Sequence, residues 1–369
     1  MFNNPFAEYM GDPTVTVPQT IQYIDKVYNA PKMTASQILG AGAITQIGLD
    51  NNIYFELQQR QGMVGIPKMS ERAARSGQKI PDRVVSSRTF KVPHYDVQDE
   101  LKADDFRGKK MFGVNEEFTR NCINEKLAEK IQTAYDCFAL LKEYNLFQAI
   151  NGYIKNGLEE TKIDVYAETG LTRKEIQVDF GKTNDADIYG LTLDVTTYQA
   201  GALAGALATG RVAFCSPQFF KKLSMNKHVV EVNKYQNSEF LRDLHLNGFL
   251  YNNVFWVLYN EYTVDNGKVY PWLANGTAKV VPMGVTGLFD QVNAPADTVQ
   301  GLLEETKEQY STFRLNEDET GFKIDAQTNQ VTYCTRPETI VTLVDVDYKP
   351  SKEDADGVYI PPVFAKDRR

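Results

Sequence analysis

The chain has 369 residues, 42% of them hydrophobic, with 20 Phe, 20 Tyr and a formal net charge of −8. That length suits two domains or one large elaborated one, and the apolar share excludes a chain too polar to build a core. The acidic balance argues against a protein that binds nucleic acid through its surface as a whole.

Residues 1 to 34 contain Pro5, Pro13, Pro18 and Pro31. Each proline fixes φ and removes a donor, so this part reads as an extended arm rather than a packed helix. It opens without a basic start followed by an apolar run, so no signal peptide is expected. Ile53 to Leu57 and Val84 to Val92 read as strands, rich in β-branched and aromatic residues. Between them lies QQRQGMVGIPKMSERAARSGQKIPDR, a connection too long for an ordinary turn and of the kind that carries function or stays loose. The stretch SSRTFKVPHYDVQDELKADDFRGKKMFG, Ser86 to Gly113, starts as a strand, breaks at Pro93 and continues as a charged connector. It holds no metal, phosphate or nucleophile motif.

The strongest element is a helix predicted over Asn115 to Tyr144. Asn115 is a capping residue, and Glu116 and Glu117 suit the positive end of the helix. Phe118, Cys122 or Ile123, Leu127, Ile131, Tyr135, Phe138 and Leu141 recur at steps of mostly three or four, which makes one apolar stripe. Such a helix would be about 45 Å long. Further on, Lys162 to Ala167 and Lys174 to Phe180 read as a strand pair, and Leu191 to Ala208 as a helix rich in glycine and alanine. Arg211 to Cys215 reads as a strand, and Ser216-Pro217 as the cap and first residue of a helix running from Gln218 to Leu223. Asn253 to Tyr262 and Gly267 to Trp272 suggest a hairpin about Asp265-Asn266-Gly267. Lys279 to Pro282, Gln330 to Cys334 and Thr339 to Asp345 are further strands, and the tail from Tyr348 is extended. The class is α+β, with short mixed sheets.

Candidate chemistry is sparse. His94, His228 and His245 form no close pair, so they suit polar surface or interface positions better than zinc ligation. Gly205 to Arg211 has the glycine spacing of a phosphate loop, but Arg211 and Val212 replace the lysine and hydroxyl, and the segment precedes a strand. Asp185 and Asp187 sit in a turn-like segment, and Asp345 and Asp347 at a strand end; paired carboxylates can do acid-base work, but exposed ends explain them equally well. Cys122, Cys137, Cys215 and Cys334 are widely spaced, which fits free, mostly buried thiols in a reducing compartment. The apolar run Ala200 to Gly210 is too short to span a membrane. No catalytic, cofactor-binding or metal residue is expected, and no cofactor.

The anomaly is charge distribution. Arg60, Lys68, Arg72, Arg75, Lys79, Arg83, Arg88 and Lys91 face only Glu71 and Asp82 in the same stretch. That stretch carries +6, which leaves the remainder of the −8 chain at −14. A basic β-excursion on an acidic body suits nucleic acid or an acidic second copy of the chain, and a merely solvated loop is the plain alternative.

The order of these parts resembles that of tailed-phage major capsid proteins, and among them the lambda-like major capsid protein E family with its Hong Kong 97-type fold. The resemblance rests on RTFKVPHYDVQDELKADDFRGKK leading into NEEFTRNCINEKLAEKIQTAYDCFALL, on FLYNNVFWVLYNEYTVDNGKVYPWLANGTAKVVPMG, and on RPETIVTLVDVD. It implies an N-terminal arm over 1–52, an E-loop over 53–101 that reaches across a neighbouring subunit, and a peripheral domain over 102–185 with a spine helix at 115–144. An axial domain would follow over 186–318, with 319–369 returning to the peripheral domain and ending in a tail. The implied spine-helix core is Phe118, Leu127, Ile131, Tyr135, Phe138 and Leu141, and the eight cations would make contacts between subunits.

The resemblance further implies self-assembly into pentamers and hexamers of an icosahedral head in the host cytoplasm. The shell would enclose DNA without reading its sequence. Portal, decoration protein and a separate scaffolding protein would be its partners, since arm and E-loop fill the 114 residues before the helix. No membrane is involved. Alternatives are another virion structural protein such as a tail-tube subunit, a nucleic-acid-binding protein using residues 60–91, or a hydrolase built on scattered carboxylates.

Overall fold

The computed structural model describes residues 34–40, 42–50, 52–61, 84–102, 116–155, 162–180, 185–227, 229–230, 248–265, 268–299, 301, 303–316 and 320–348. Its axis is a 35-residue helix, α2, Glu116–Ile150, preceded in the chain by the short helix α1, Thr34–Leu39. At 1.5 Å per residue, α2 is about 52 Å long. It runs six residues beyond Tyr144, where the apolar stripe gives out. The reason is burial: Tyr144 to Ile150 are covered on every side, polar Asn145 and Gln148 included, so no amphipathic period marks the last turns. Gly152, at φ +82°, ends the run; a Cβ there would lie 2.2 Å from the ring of Tyr166.

Two three-stranded sheets lie along α2. The first pairs β15 (Tyr310–Leu315), β16 (Gly321–Thr328) and β4 (Tyr95–Lys102), in that order. The charged connector after Pro93 is therefore a strand through Lys102, antiparallel to β16 from Tyr95↔Thr328 to Lys102↔Gly321. Its alternation was masked because Asp99 shares the inward set with Tyr95, Val97 and Leu101. Asp99 is accommodated there by Lys130 of α2, 2.7 Å away, and that bond holds its carboxyl below the usual range. The second sheet pairs β1 (Ile44–Gly48) parallel to β14 (Phe289–Asn293), and β14 antiparallel to β17 (Gln330–Cys334).

A six-stranded mixed sheet forms the rest of the core. Its members are β7 (Lys174–Val178), β18 (Val341–Asp345), β13 (Thr277–Met283), β8 (Gly210–Cys215), β10 (Val254–Leu258) and β9 (Gly248–Tyr251), in spatial order. Both faces are covered. Val212, Phe214, Val257 and Val281 meet Leu146, Phe147 and Ile150 of α2. Ala213, Cys215, Trp256 and Val280 meet α4 (Asp185–Ala202) and α5 (Pro217–Ser224) through Ile188, Val195, Phe219 and Leu223. Two-sided burial explains why these strands read as unbroken apolar runs.

Several expectations are corrected. Lys162 to Ala167 does not pair with Lys174 to Phe180. Only Lys162–Asp164 (β6) is strand, paired with Tyr153–Lys155 (β5), while Lys174–Val178 joins β18 in parallel. Asp164 turns the chain instead: its carboxylate accepts from the amides of Tyr166 and Ala167 and caps α3, Val165–Thr169. Helix α4 begins at Asp185 rather than Leu191, so Asp185 and Asp187 lie in its first turn, and it ends at Ala202 before left-handed Ala204 and Gly205. The hairpin is Tyr262–Asp265 with Lys268–Pro271 (β11 and β12); Val254 to Leu258 belongs to the large sheet. Ser216 precedes Pro217 at the head of α5, but its hydroxyl makes no capping bond. Asp345 is no exposed strand end: its buried carboxylate lies 2.6 Å from Lys222 Nζ. Of the described thiols, Cys215 and Cys334 are buried while Cys137 is exposed.

Candidate assembly interface

Strands β2 (Tyr54–Gln61) and β3 (Val84–Lys91) pair antiparallel from Tyr54↔Lys91 to Gln61↔Val84. This hairpin carries the basic excursion, and its base is held by aromatic packing. Phe55 is buried, stacks on Tyr333 of β17 at 5.6 Å and 9°, and meets Phe90 at 5.6 Å. Val92 closes the base: its amide donates to the Ile53 carbonyl at 2.8 Å and its side chain joins Ile154, Val165, Val292 and Val331. Tyr333 in turn donates to Asp290 at 3.2 Å, and burial raises the pKa of both groups above their ordinary ranges.

Just past the hairpin, His94 Nδ1 lies 2.7 Å from Asn329 Oδ1 and 3.3 Å from Asp297 Oδ2. The histidine thus ties the hairpin exit to the β16–β17 turn and the segment after β14, a polar junction rather than a ligand set. No spacing in the sequence pointed to it, since its partners lie more than 200 positions away.

The expected contact cations divide. Arg60 lies in β2, and Lys91 ends β3 with an exposed side chain. Arg88 reaches Glu168 of its own chain at 3.3 Å, both partly exposed. Lys68, Arg72, Arg75, Lys79 and Arg83 lie outside the described residues. Of the other two histidines, His228 and His245 also lie outside them.

The helix stripe is brought together against the first sheet. Leu127 and Ile131 pack with Ile324 and Phe313, and Phe138 with Ala326, Tyr95 and Val97; Tyr135 touches both groups. Tyr135 donates to Ser311 at 3.0 Å. Leu141 is half-buried, and the Phe118 side chain lies outside the described residues. Sequence reading missed Glu308, in the segment between β14 and β15. Its carboxylate takes Lys142 of α2 at 2.6 Å, Gln46 of β1 at 3.2 Å and Gln291 of β14 at 3.2 Å.

Reactive geometry is not assembled from these parts. Burial pushes the thiols of Cys215 and Cys334 up, which keeps them protonated and poor nucleophiles. Among the described residues, no three His, Cys, Asp or Glu side chains come together as metal ligands. The described contacts are those of a scaffold, with a long helix packed on its sheets and a β-hairpin seated at its base on β17.

Comparison with known proteins accounts for that scaffold. The chain is 13% identical to a prophage protein of Escherichia coli CFT073 assigned as a capsid protein, with a TM-score of 0.55 over 89% of this chain and 98% of that one. The capsid structure of Helicobacter pylori bacteriophage KHP30 gives a TM-score of 0.53 at 8% identity over 86% and 92%. The fold is thus that of the Hong Kong 97-type capsid proteins. Residues 35–344 match the family "Phage major capsid protein E", and the chain belongs to that family, as a structural protein of the virion. The major capsid protein of Pseudomonas phage KPP10 is 26% identical over 269 residues, 69% of this chain and 77% of that protein.

Proposed function

We propose that this chain assembles into the pentamers and hexamers of an icosahedral head and that the basic hairpin reaches a neighbouring copy. The observation that carries the reading is the β2–β3 hairpin, anchored at its base by Phe55, Val92 and Tyr333, in a stretch of sequence, residues 60–91, that holds eight cations while the remainder of the chain is acidic. Opposite fields of this kind favour one docking register and reject like-charged alternatives. Arg60, Lys68, Arg72, Arg75, Lys79, Arg83 and Lys91 are the contact residues on this reading, while Arg88 is engaged by Glu168 within its own chain.

In this account the hairpin is the E-loop, α2 is the spine helix, and Leu127, Ile131, Tyr135 and Phe138 fix the helix to its sheet. The peripheral domain comprises α2 with its two three-stranded sheets. The axial domain is the six-stranded sheet with α4 and α5. Sheet membership supports moving the expected boundaries: β14 and β15 go with the helix although they precede residue 318, and β7 and β18 go with the large sheet although they lie outside 186–318. Portal, scaffolding and decoration proteins are further partners, and the DNA is enclosed without base-specific contact in a head assembled in the host cytoplasm.

Combined charge reversal at Arg72, Arg75 and Arg83 tests the hairpin's part. The expected result is a folded subunit, normal by circular dichroism, that forms no shells, while each single reversal assembles with greater salt sensitivity. Single exposed ion pairs contribute only about 0–1 kcal/mol each, so the loss should need all three. Normal assembly of the triple variant at low and moderate salt would reduce the basic excursion to a solvated loop.

A further inference from the structure

The outer side of α4 carries almost no charge. From Tyr189 to Thr209 the one charged residue is Asp194. Tyr189, Leu193, Thr197 and Ala200 recur at steps of three or four and share one exposed side, opposite the side buried through Ile188, Val195 and Gln199. Tyr189 is 54% exposed and Leu193 51%. The surface beside them is open: a Cβ built on Gly190 meets no atom within 4 Å. A surface helix ordinarily turns charged residues to water, and an apolar outer face marks contact with another molecule.

A second apolar feature stands at the other end of the helix. Left-handed Ala204 and Gly205 turn the chain out of α4. The backbone that follows is held by the Ala206 amide donating to the Leu203 carbonyl at 3.0 Å and the Thr209 amide to the Met283 carbonyl at 2.9 Å. Ala206 and Ala208 pack on the core, while Leu207 between them is 87% exposed. Two cations flank this knob. Arg211 donates to Gln199 Oε1 at 3.0 Å and to the Thr196 carbonyl at 3.3 Å, and Arg336 to the Leu203 carbonyl at 2.8 Å. Among the described residues neither guanidinium has a carboxylate partner, and Asp194, beside Leu193, has no cation partner.

We propose that Leu207 of one copy of the chain seats on Tyr189 and Leu193 of the next, with Arg211 and Arg336 facing Asp194 across the contact. This rests on the assembly reading given above and names one of its surfaces. The length of α4 holds the two patches about 20 Å apart, so they cannot meet within one chain. The patches are unlike but complementary. One is an aliphatic knob with two cations; the other is an open apolar seat with a carboxylate, on a helix whose first turn adds Asp185 and Asp187. Such a pair makes a head-to-tail contact, which closes into a ring when the rotation allows it. Opposite charges set its register, and knob on knob would bring arginines onto arginines.

Leu193→Cys and Leu207→Cys, together and singly, test the contact in the Cys137→Ser chain, which lacks the exposed native thiol. Each is assembled and treated with a short thiol-to-thiol crosslinker. On a denaturing gel the double variant should give a ladder ending at pentamers and hexamers, and each single variant only the Cys137→Ser background. A double variant without a ladder, or dimers from Leu207→Cys alone, overturns the proposal. Leu207→Asp, at a nearly fully exposed site, should keep its circular dichroism and form no shells; shells at the yield of the unaltered chain overturn the proposal as well. Electron microscopy of the Cys137→Ser chain separates the two levels. Shells without a ladder reject this contact alone, whereas no particles of any kind reject the assembly reading and this contact with it.

Discussion

Lys142 and Glu308 lie 166 positions apart in sequence, yet Nζ of the first is 2.6 Å from Oε1 of the second. Because Glu308 also takes amide donors from Gln46 and Gln291, one carboxylate joins α2 to β1 and β14. Both partners are mostly shielded, at 19% and 29% exposure, which sets this pair apart from the surface ion pairs of the same molecule.

The pair should therefore be energetically coupled. Lys142→Met, Glu308→Gln and the double variant, measured by urea unfolding, should give an interaction energy between about 0.5 and 3 kcal/mol. Coupling of that size distinguishes a shared network from two independent losses. Additive effects within experimental error would mean that Glu308 is held by its glutamine partners alone.

The buried stripe of α2 should dominate its contribution to stability. Ile131→Ala or Phe138→Ala should cost about 2–5 kcal/mol, because each leaves a cavity against β16. Glu125→Ala, at an exposed position on the same helix, should change stability by less than about 0.5 kcal/mol. Melting temperature and soluble yield of the three variants check this, and equal tolerance at all three positions would contradict the assigned packing.

Lys279 gives a pH-dependent prediction. Its ammonium sits on β13, donates to Thr342 Oγ1 at 2.8 Å, and is brought down to about 8, first by burial and then by the positive charge of Arg173. The unfolded chain holds this proton up to the ordinary lysine range, so between those values it binds more protons than the folded chain. Stability should rise with pH across that window by an amount on the order of 2 kcal/mol. Lys279→Met should flatten the rise in chemical-denaturation curves taken from pH 7.5 to 10; parallel curves would place its source elsewhere.

How much of this was legible in the sequence follows from which residues carried a periodic signal. The stripe from Leu127 to Phe138 repeats at helical spacing, and its helix and core positions were readable from that alone. The Asp265-Asn266-Gly267 turn and the strand Gln330 to Cys334 announced themselves by turn chemistry and β-branched residues. Strand β4 did not, because Asp99 stands among its inward positions and only a lysine 31 residues later makes that tolerable. The end of α2 was invisible because burial on every side erases amphipathic contrast. Glu143 and Glu308, two carboxylates that tie distant segments together, carry no local pattern; each reaches a partner more than a hundred positions away. The five cations from Lys68 to Arg83 were singled out by charge counting alone and lie outside the described residues, so their contact role stands as a proposal.

Electron microscopy of the purified chain after assembly tests the central claim most directly. A shell subunit should yield closed particles, or sheets of pentamers and hexamers, with subunits in repeated and equivalent contact. Tubes would instead indicate a tail-type structural protein, and a small monodisperse particle under every assembly condition would contradict the account.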